Sequence, residues 1–304
     1  MDQLLHRRRA DTMVTTVGTG KAASTTPSVQ VQVVLYGPGR WVPRLALGLQ
    51  SLDKPNYELS VAFWDNSPAL APRPVDERHS LWTVTSSRDG NLGFGRAHNQ
   101  LAKAAPAECA YLLLLNPDAV PQYDCLERLL AVAEANPDAG LIEAAQFPIE
   151  HPKAYDPSSL ETNWCSAACV LIRRRAFDQL GGFDPQFFLY CEDVDLSWRA
   201  WLAGWRCLYV PEARCLHVTE GEDLGKDRSS EVYFSHLSQL YLRSKHFGPE
   251  AVDAYLGAMA ENLSPRLVER VQGEFAKLAV PSGPRSQDPH MVLTAGETYG
   301  PRRW

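Results

Sequence analysis

Tyr111-Leu112-Leu113-Leu114-Leu115-Asn116-Pro117-Asp118 is the stretch whose reading decides the fold. A short, wholly apolar run ending in an Asn-Pro turn starter predicts a buried strand that delivers an acid at its carboxyl end. Upstream, Val31–Tyr36 reads as another buried strand, and Pro43 starts a helical pattern through Leu45, Leu49 and Leu52. Leu59–Trp64 is the next strand, ending at Asp65-Asn66, and a loop with Pro68, Pro72 and Pro74 follows. Leu81–Thr85 alternates like a strand, Asn91–Gly95 is a turn, and Arg96–Ala105 is a helix. Downstream, Cys125–Ala135 predicts a helix closed by Asn136-Pro137, and Gly140–Ala145 one more strand. Strand, helix and strand in alternation imply an α/β fold: a mostly parallel, Rossmann-like sheet flanked by helices. Ligands of such sheets bind outside the carboxyl ends of the strands, so Asp65 and Asp118 are aimed at one crevice.

After residue 150 the pattern changes. Asn163–Ile172 is small and apolar, and Arg174–Leu180 predicts a short helix ending at Gly181-Gly182. The aromatic loop Gly182–Cys191 then meets three carboxylates in four residues, Glu192, Asp193 and Asp195. A helical run from Leu196 to Ala203 follows, stopped by Gly204. One acid at a helix start is a cap in the positive end of the dipole. Three behind so apolar a loop point to a site, because desolvating carboxylates is costly without a compensating cation, proton or ligand. Trp205–Val210 and Arg214–Val218 read as short strands, and Gly221–Ser230 as a polar loop. Glu231–Phe247 and Ala251–Leu278 read as helices, with Leu237, Leu240 and Tyr241 on an apolar stripe. Trp198, Trp201 and Trp205 lie at helical spacing, which predicts core packing.

The 304 residues, 45% of them hydrophobic, suffice for one large α/β domain with appendages. The expected organisation is a disordered arm over 1–29, a catalytic domain over 30–228, C-terminal helices over 229–280 and a disordered tail over 281–304. A net charge of −6 argues against a nucleic-acid partner. Seven cysteines, an odd count with no secretory signal, read as reduced, buried thiols of a cytoplasmic protein. Cys165, Cys169, Cys207, Cys215 and His217 fit no zinc spacing. No apolar run approaches the ~20 residues that span a bilayer.

Five segments in order carry a resemblance. They are Phe63-Trp64-Asp65-Asn66-Ser67; Asn91-Leu92-Gly93-Phe94-Gly95-Arg96-Ala97-His98-Asn99; Leu114–Asp118; Gly181-Gly182-Phe183-Asp184 running into Glu192-Asp193-Val194-Asp195; and Pro211–His217. Together they resemble glycosyltransferase family 2, of GT-A fold, and its rhamnosyltransferase-like members, over roughly residues 30–247. The resemblance implies a pyrimidine nucleotide-sugar donor, dTDP-rhamnose or a UDP-sugar, contacted by Tyr36, Asp65, Asn91, Gly93, Arg96, Asn116 and Asp118. Asp118 would ligate Mn²⁺ or Mg²⁺, with His217 completing the site. Asp193 would be the general base of an inverting transfer, with Glu192 beside it as a catalytic partner. Ser166 and Ala167 would line the donor sugar, and Glu192, Asp195 and Arg199 would serve the acceptor; Asp195 and Arg199 also stand at i,i+4 pairing distance. The acceptor would be a saccharide or a lipid-linked sugar, reached from the inner face of the membrane, and the C-terminal helices allow peripheral membrane contact or a homodimer. The chain departs from its relatives at Tyr36-Gly37-Pro38-Gly39-Arg40, where an Asn usually follows the Tyr or Thr.

Two other readings compete. Gly37-Pro38-Gly39-Arg40 echoes the Gly-rich loop of sugar-nucleotide pyrophosphorylases, but only Lys54-Pro55 stands for their triphosphate-binding lysine. Gly93-Phe94-Gly95 lacks the third glycine of a dinucleotide fingerprint and follows the third strand instead of the first. A catalytically inactive, transferase-like scaffold is the non-enzyme reading, and the joint presence of Asp118, Asp193 and His217 argues against it.

Overall fold

The computed structural model describes residues 26–280 except 38–40, 53, 55, 68–81, 87–89, 152–153 and 218–228. The loop after Gly37, the proline-rich loop, the polar loop at 221–228, and most of the expected arm and tail lie outside the described residues.

Eight strands form one sheet: β1 (Ser28–Leu35), β2 (Glu58–Asp65), β3 (Trp82–Ser86), β4 (Tyr111–Leu115), β5 (Ala119–Pro121), β6 (Ala139–Pro148), β7 (Cys169–Arg173) and β8 (Arg206–His217). Their order is β3-β2-β1-β4-β7-β6-β8-β5. The first four run parallel, with β4 entering on the other side of β1 from β2. That reversal opens a crevice beyond Leu35 and Leu115, where open α/β sheets bind their ligands. The far half is mixed: β7 is antiparallel to β4 and β6, β5 is antiparallel to β8, and β6 and β8 are parallel.

The helices are α1 (Val42–Ser51), α2 (Phe94–Ala104), α3 (Cys125–Ala135), α4 (Arg174–Leu180), α5 (Glu192–Leu202), α6 (Ser229–His246), α7 (Pro249–Asn262) and α8 (Pro265–Phe275). One core lies between the sheet and α1 and α3, built on Leu45, Leu49, Leu113, Leu115, Leu126 and Leu129. A second lies on the other face, where Leu112, Leu114 and Ile172 meet Phe177, Phe183 and Leu196. Alternate residues of β4 thus serve opposite cores, which is why the run carries no polar residue. The C-terminal helices join through Trp198 of α5, packed with Tyr241 and Leu242 of α6.

Three local expectations are corrected. Helix α5 begins at Glu192 instead of Leu196, so the acids form its first turn. The two short strands after Gly204 are one strand, because β6 pairs with it on both sides of an irregularity in which Pro211, Glu212 and Ala213 are passed over. The expected helix over 251–278 is broken at Leu263-Ser264, since Pro265 cannot continue it and starts α8 as its first residue. Strand β5, three residues long, follows Asp118 directly and gives too little sequence for a periodic signal.

Candidate active site at the carboxyl edge of the sheet

Asp118 and His217 come from chain positions 99 residues apart and meet because β5 pairs antiparallel with the end of β8, Ala119 opposite His217. His217 Nε2 lies 3.4 Å from Asp118 Oδ1 and 3.3 Å from Asn116 Nδ2. On its other side His217 Nδ1 is 2.7 Å from Gln146 Oε1. An amide oxygen only accepts, so Nδ1 carries a proton, and in the neutral ring Nε2 presents its lone pair to the crevice. Among the described residues no group of three or more His, Cys, Asp or Glu side chains is placed to hold a metal. One carboxylate and one bare imidazole nitrogen nevertheless fit a divalent cation whose other ligands are phosphate oxygens and water.

Asp193 reaches the same edge from the opposite side. Its Oδ2 accepts the Ala167 N–H at 3.1 Å, and its Oδ1 the Val194 N–H at 2.9 Å. The next carbonyl, Ala168 O, accepts the Asn116 N–H at 3.0 Å. Two hydrogen bonds therefore tie the first turn of α5 to the end of β4, and Ser166-Ala167-Ala168 is the tie. Ser166 and Ala167 are buried, so the small side chains serve close packing while the backbone links the carboxylate. Glu192, next to Asp193, is buried, and its Oε2 has no partner among the described residues. Burial, and then the Asp193 charge, push the Glu192 carboxyl well above the usual carboxylate range. Tyr190 and Cys191, just before, both hold left-handed backbone conformations, at φ 72° and 63°. Strain at two successive side-chain-bearing residues is the kind stored at functional sites.

The β2 end supplies the third wall. Asp65 is buried, and its Oδ1 accepts the Ser67 N–H at 2.8 Å. Ser67 Oγ in turn accepts the Gly37 N–H at 3.0 Å, drawing the ends of β1 and β2 together. Tyr36 beside it is 65% exposed. Asn91 Oδ1 accepts the Gly93 N–H, and Arg96 Nε donates to Pro185 O at 2.6 Å, so both bind the loops that frame the crevice. Gly93, at φ 83°, lies directly under the aromatic loop, where Phe94 N donates to Phe188 O at 3.0 Å.

Asp195 and Arg199 form the expected i,i+4 ion pair. Asp195 has no exposed surface and its carboxylate receives Arg199 Nε, Lys245 Nζ and His246 Nε2 at 2.7–2.8 Å. Arg199 gives its other nitrogens to Leu180 O and Gly182 O. The i,i+4 pair forms, but it faces α6 and the glycine turn instead of a ligand.

Three residues had no role in the sequence. Asn66 donates to Gly93 O and accepts the Leu92 N–H, clamping the glycine turn to β2. Gln146 and Glu143 stand behind His217 on β6. The available signal was a glutamine and a glutamate inside an otherwise apolar strand, since a polar side chain is buried at a cost unless it has a partner.

Comparison with known proteins agrees with this fold. Residues 49–196 match the model "Glycosyl transferase family 2" and residues 159–235 match "Glycosyltransferase like family 2". An N-acetylglucosaminyl-diphospho-decaprenol L-rhamnosyltransferase of Mycobacterium tuberculosis is 29% identical over 73% of this chain and 86% of its own. Rhamnosyltransferase WbbL of Escherichia coli is 26% identical over 71% of this chain and 90% of its own. The fold matches a mannosyltransferase of Pyrobaculum calidifontis, solved in complex with GDP-Man and Mn2+, at a TM-score of 0.57, 17% identity, and 83% and 80% coverage of the two chains. By its ordered motifs, its sheet and these matches, the chain belongs to glycosyltransferase family 2, as a GT-A enzyme of the rhamnosyltransferase-like kind.

Proposed function

We propose that the enzyme transfers a sugar, with inversion, from a pyrimidine nucleoside-diphosphate donor to a hydroxyl of a saccharide or lipid-linked acceptor. The observation that carries this reading is the tie from Asp193 through Ala167 and Ala168 to Asn116, which holds one carboxylate at the strand edge that also bears Asp118 and His217.

In the proposed step the acceptor oxygen bonds to the anomeric carbon as the bond from that carbon to the diphosphate oxygen breaks. The electron pair leaves on the nucleoside diphosphate, and the acceptor proton passes to Asp193. General-base help of this kind is worth roughly 10²–10⁴-fold. Backbone N–H groups on both Asp193 oxygens orient the carboxylate before substrate arrives. Burial favours the neutral acid at Glu192, which in that form would donate a hydrogen bond to an acceptor hydroxyl while Asp193 accepts one. Asp118 and His217 would hold Mn²⁺ or Mg²⁺, which when bound supplies positive charge against the leaving diphosphate.

Asp65 supports a uracil or thymine base over cytosine, because a carboxylate acceptor pairs with the N3–H of the first two and finds no such donor in the third. The kinship with two rhamnosyltransferases favours dTDP-rhamnose, and that with the M. tuberculosis protein favours a lipid-diphosphate-linked acceptor. Such an acceptor would bring the enzyme to the inner face of a membrane. Among the described residues no helix is long and apolar enough to cross one.

The test is donor binding and turnover over UDP-, dTDP-, GDP- and CMP-sugars, with and without Mn²⁺, using a polyprenyl-diphosphate sugar as acceptor. Metal-dependent use of one UDP- or dTDP-sugar is expected. Preference for a GDP- or CMP-sugar would remove the Asp65 assignment. Pyrophosphate release from a nucleoside triphosphate and a sugar phosphate would favour the pyrophosphorylase reading, and ligand binding without turnover the scaffold.

A further inference from the structure

Glu143 and Gln146 are both buried, Glu143 without exposed surface, on the strand that runs beside the end of β8. Residues three apart on a regular strand face opposite sides of the sheet. Here the pairing with β8 shifts register between Ala144 and Ala145, and Gln146 Nε2 comes within 3.4 Å of Glu143 Oε1. The same amide presents Oε1 to His217 Nδ1 at 2.7 Å. The backbone of Gln146 is fixed as well, its N–H donating to Glu150 Oε2 at 2.6 Å.

A glutamine amide has two ends of opposite character, and turned around it would offer N–H groups to the imidazole instead of an acceptor. Glu143 Oε1 accepts from the amide nitrogen, so the oxygen is the end left for His217. His217 Nδ1 must then carry a proton, which in the neutral ring leaves Nε2 bare. On the far side Nε2 faces Asn116 Nδ2, a donor, at 3.3 Å and the Asp118 carboxylate, an acceptor, at 3.4 Å, so the lock comes from the Gln146 side.

We propose that Gln146, oriented by Glu143, is a positioning residue that locks His217 as the Nδ1–H tautomer with its Nε2 lone pair turned toward Asp118. The inference rests on the metal reading above only for its purpose, since the tautomer is a property of the metal-free protein. Outer partners of this kind fix ring orientation and raise ligand basicity, and their loss costs about 10–100-fold in metal affinity.

The experiment is a long-range ¹H–¹⁵N correlation on metal-free, ¹⁵N-histidine-labelled protein, with the His217 signals assigned by their loss in His217→Gln. Wild type is expected to show a protonated Nδ1 and a bare Nε2. Gln146→Leu should mix or reverse the tautomers, and Gln146→Glu, which keeps an acceptor at the site, should restore them. Mn²⁺ titration in the presence of UDP or dTDP gives the second readout: a loss of about 10–100-fold in Gln146→Leu, and less in Gln146→Glu. Protonated Nε2 in wild type, or an unchanged tautomer in a folded Gln146→Leu protein, would overturn the proposal. If the tautomers behave as expected but wild type binds no Mn²⁺, the positioning role stands and the metal assignment in the proposed function falls.

Discussion

Asn66 Nδ2 donates to Gly93 O at 3.0 Å across 27 residues of chain, while its Oδ1 receives Leu92 N–H at 3.1 Å. One amide thus fixes the glycine turn against the strand that ends in Asp65. Asn66→Ala removes both bonds and leaves buried groups unpaired, a cost of about 1–3 kcal/mol. We expect a lower urea midpoint together with a several-fold higher KM for the donor. A variant with normal stability and normal donor KM would show that the turn holds itself.

Gly93 combines a left-handed backbone with close approach: a Cβ there would overlap the Phe188 carbonyl oxygen. Gly93→Ala must push the aromatic loop off α2, and overpacking of this sort costs about 1–3 kcal/mol before the backbone penalty is added. Transfer should fall further than stability, because the same loop leads into Glu192 and Asp193. The check is kcat measured alongside thermal denaturation, and a stable protein with wild-type kcat would count against the loop's role.

Asp195 ties α5 to α6 through Lys245 and His246. Burial alone would raise its pKa, but His246, Arg199 and Lys245 outweigh that and hold it well below the usual carboxylate range. A depressed carboxylate pKa stabilises the fold above the ordinary carboxylate range, and the contribution fades as pH falls through it. Asp195→Asn leaves buried cations short of a counter-charge and should cost about 3–5 kcal/mol. Equilibrium unfolding in urea at neutral pH measures this; a change below about 1 kcal/mol would mean the cluster contributes as weakly as an exposed pair.

His98 is fully buried, its Nδ1 donating to Gln32 Oε1 at 3.1 Å, and burial lowers its pKa from 6.5 to about 3. The unfolded chain takes up this proton near pH 6.5 and the folded one does not. Stability from His98 is therefore complete above pH 6.5 and declines toward pH 3, by about 1.4 kcal/mol per pH unit. His98→Gln should flatten the stability profile by that amount over the window. An unchanged slope would show that His98 does not titrate as described.

The parallel half of the sheet was legible because each strand carries its own signal: the leucines of β4 feed two cores, and Asp65 and Asp118 mark strand ends. Asp118 and His217 were expected together only through the family motifs, since their meeting depends on the three-residue strand β5, which has no period to detect. Pro265 stands inside the run expected as one helix and marks where it breaks. The burial of Asp195 is decided by Lys245 and His246, some fifty residues later, and no local pattern reports a long-range ion pair. The roles of Asn66 and Gln146 are likewise contacts between strand ends, set by register instead of by composition.

If Asp193 takes the acceptor proton, Asp193→Asn removes transfer and spares donor binding. The amide keeps an acceptor for the Ala167 N–H, so the link to β4 survives the change. Donor affinity by calorimetry and transfer at saturating donor and acceptor should be measured on the same preparation. Donor binding is expected within a factor of about two of wild type and transfer lower by about 10²–10⁴-fold. Near-normal transfer in that variant would contradict this role of Asp193 and move the base to another group.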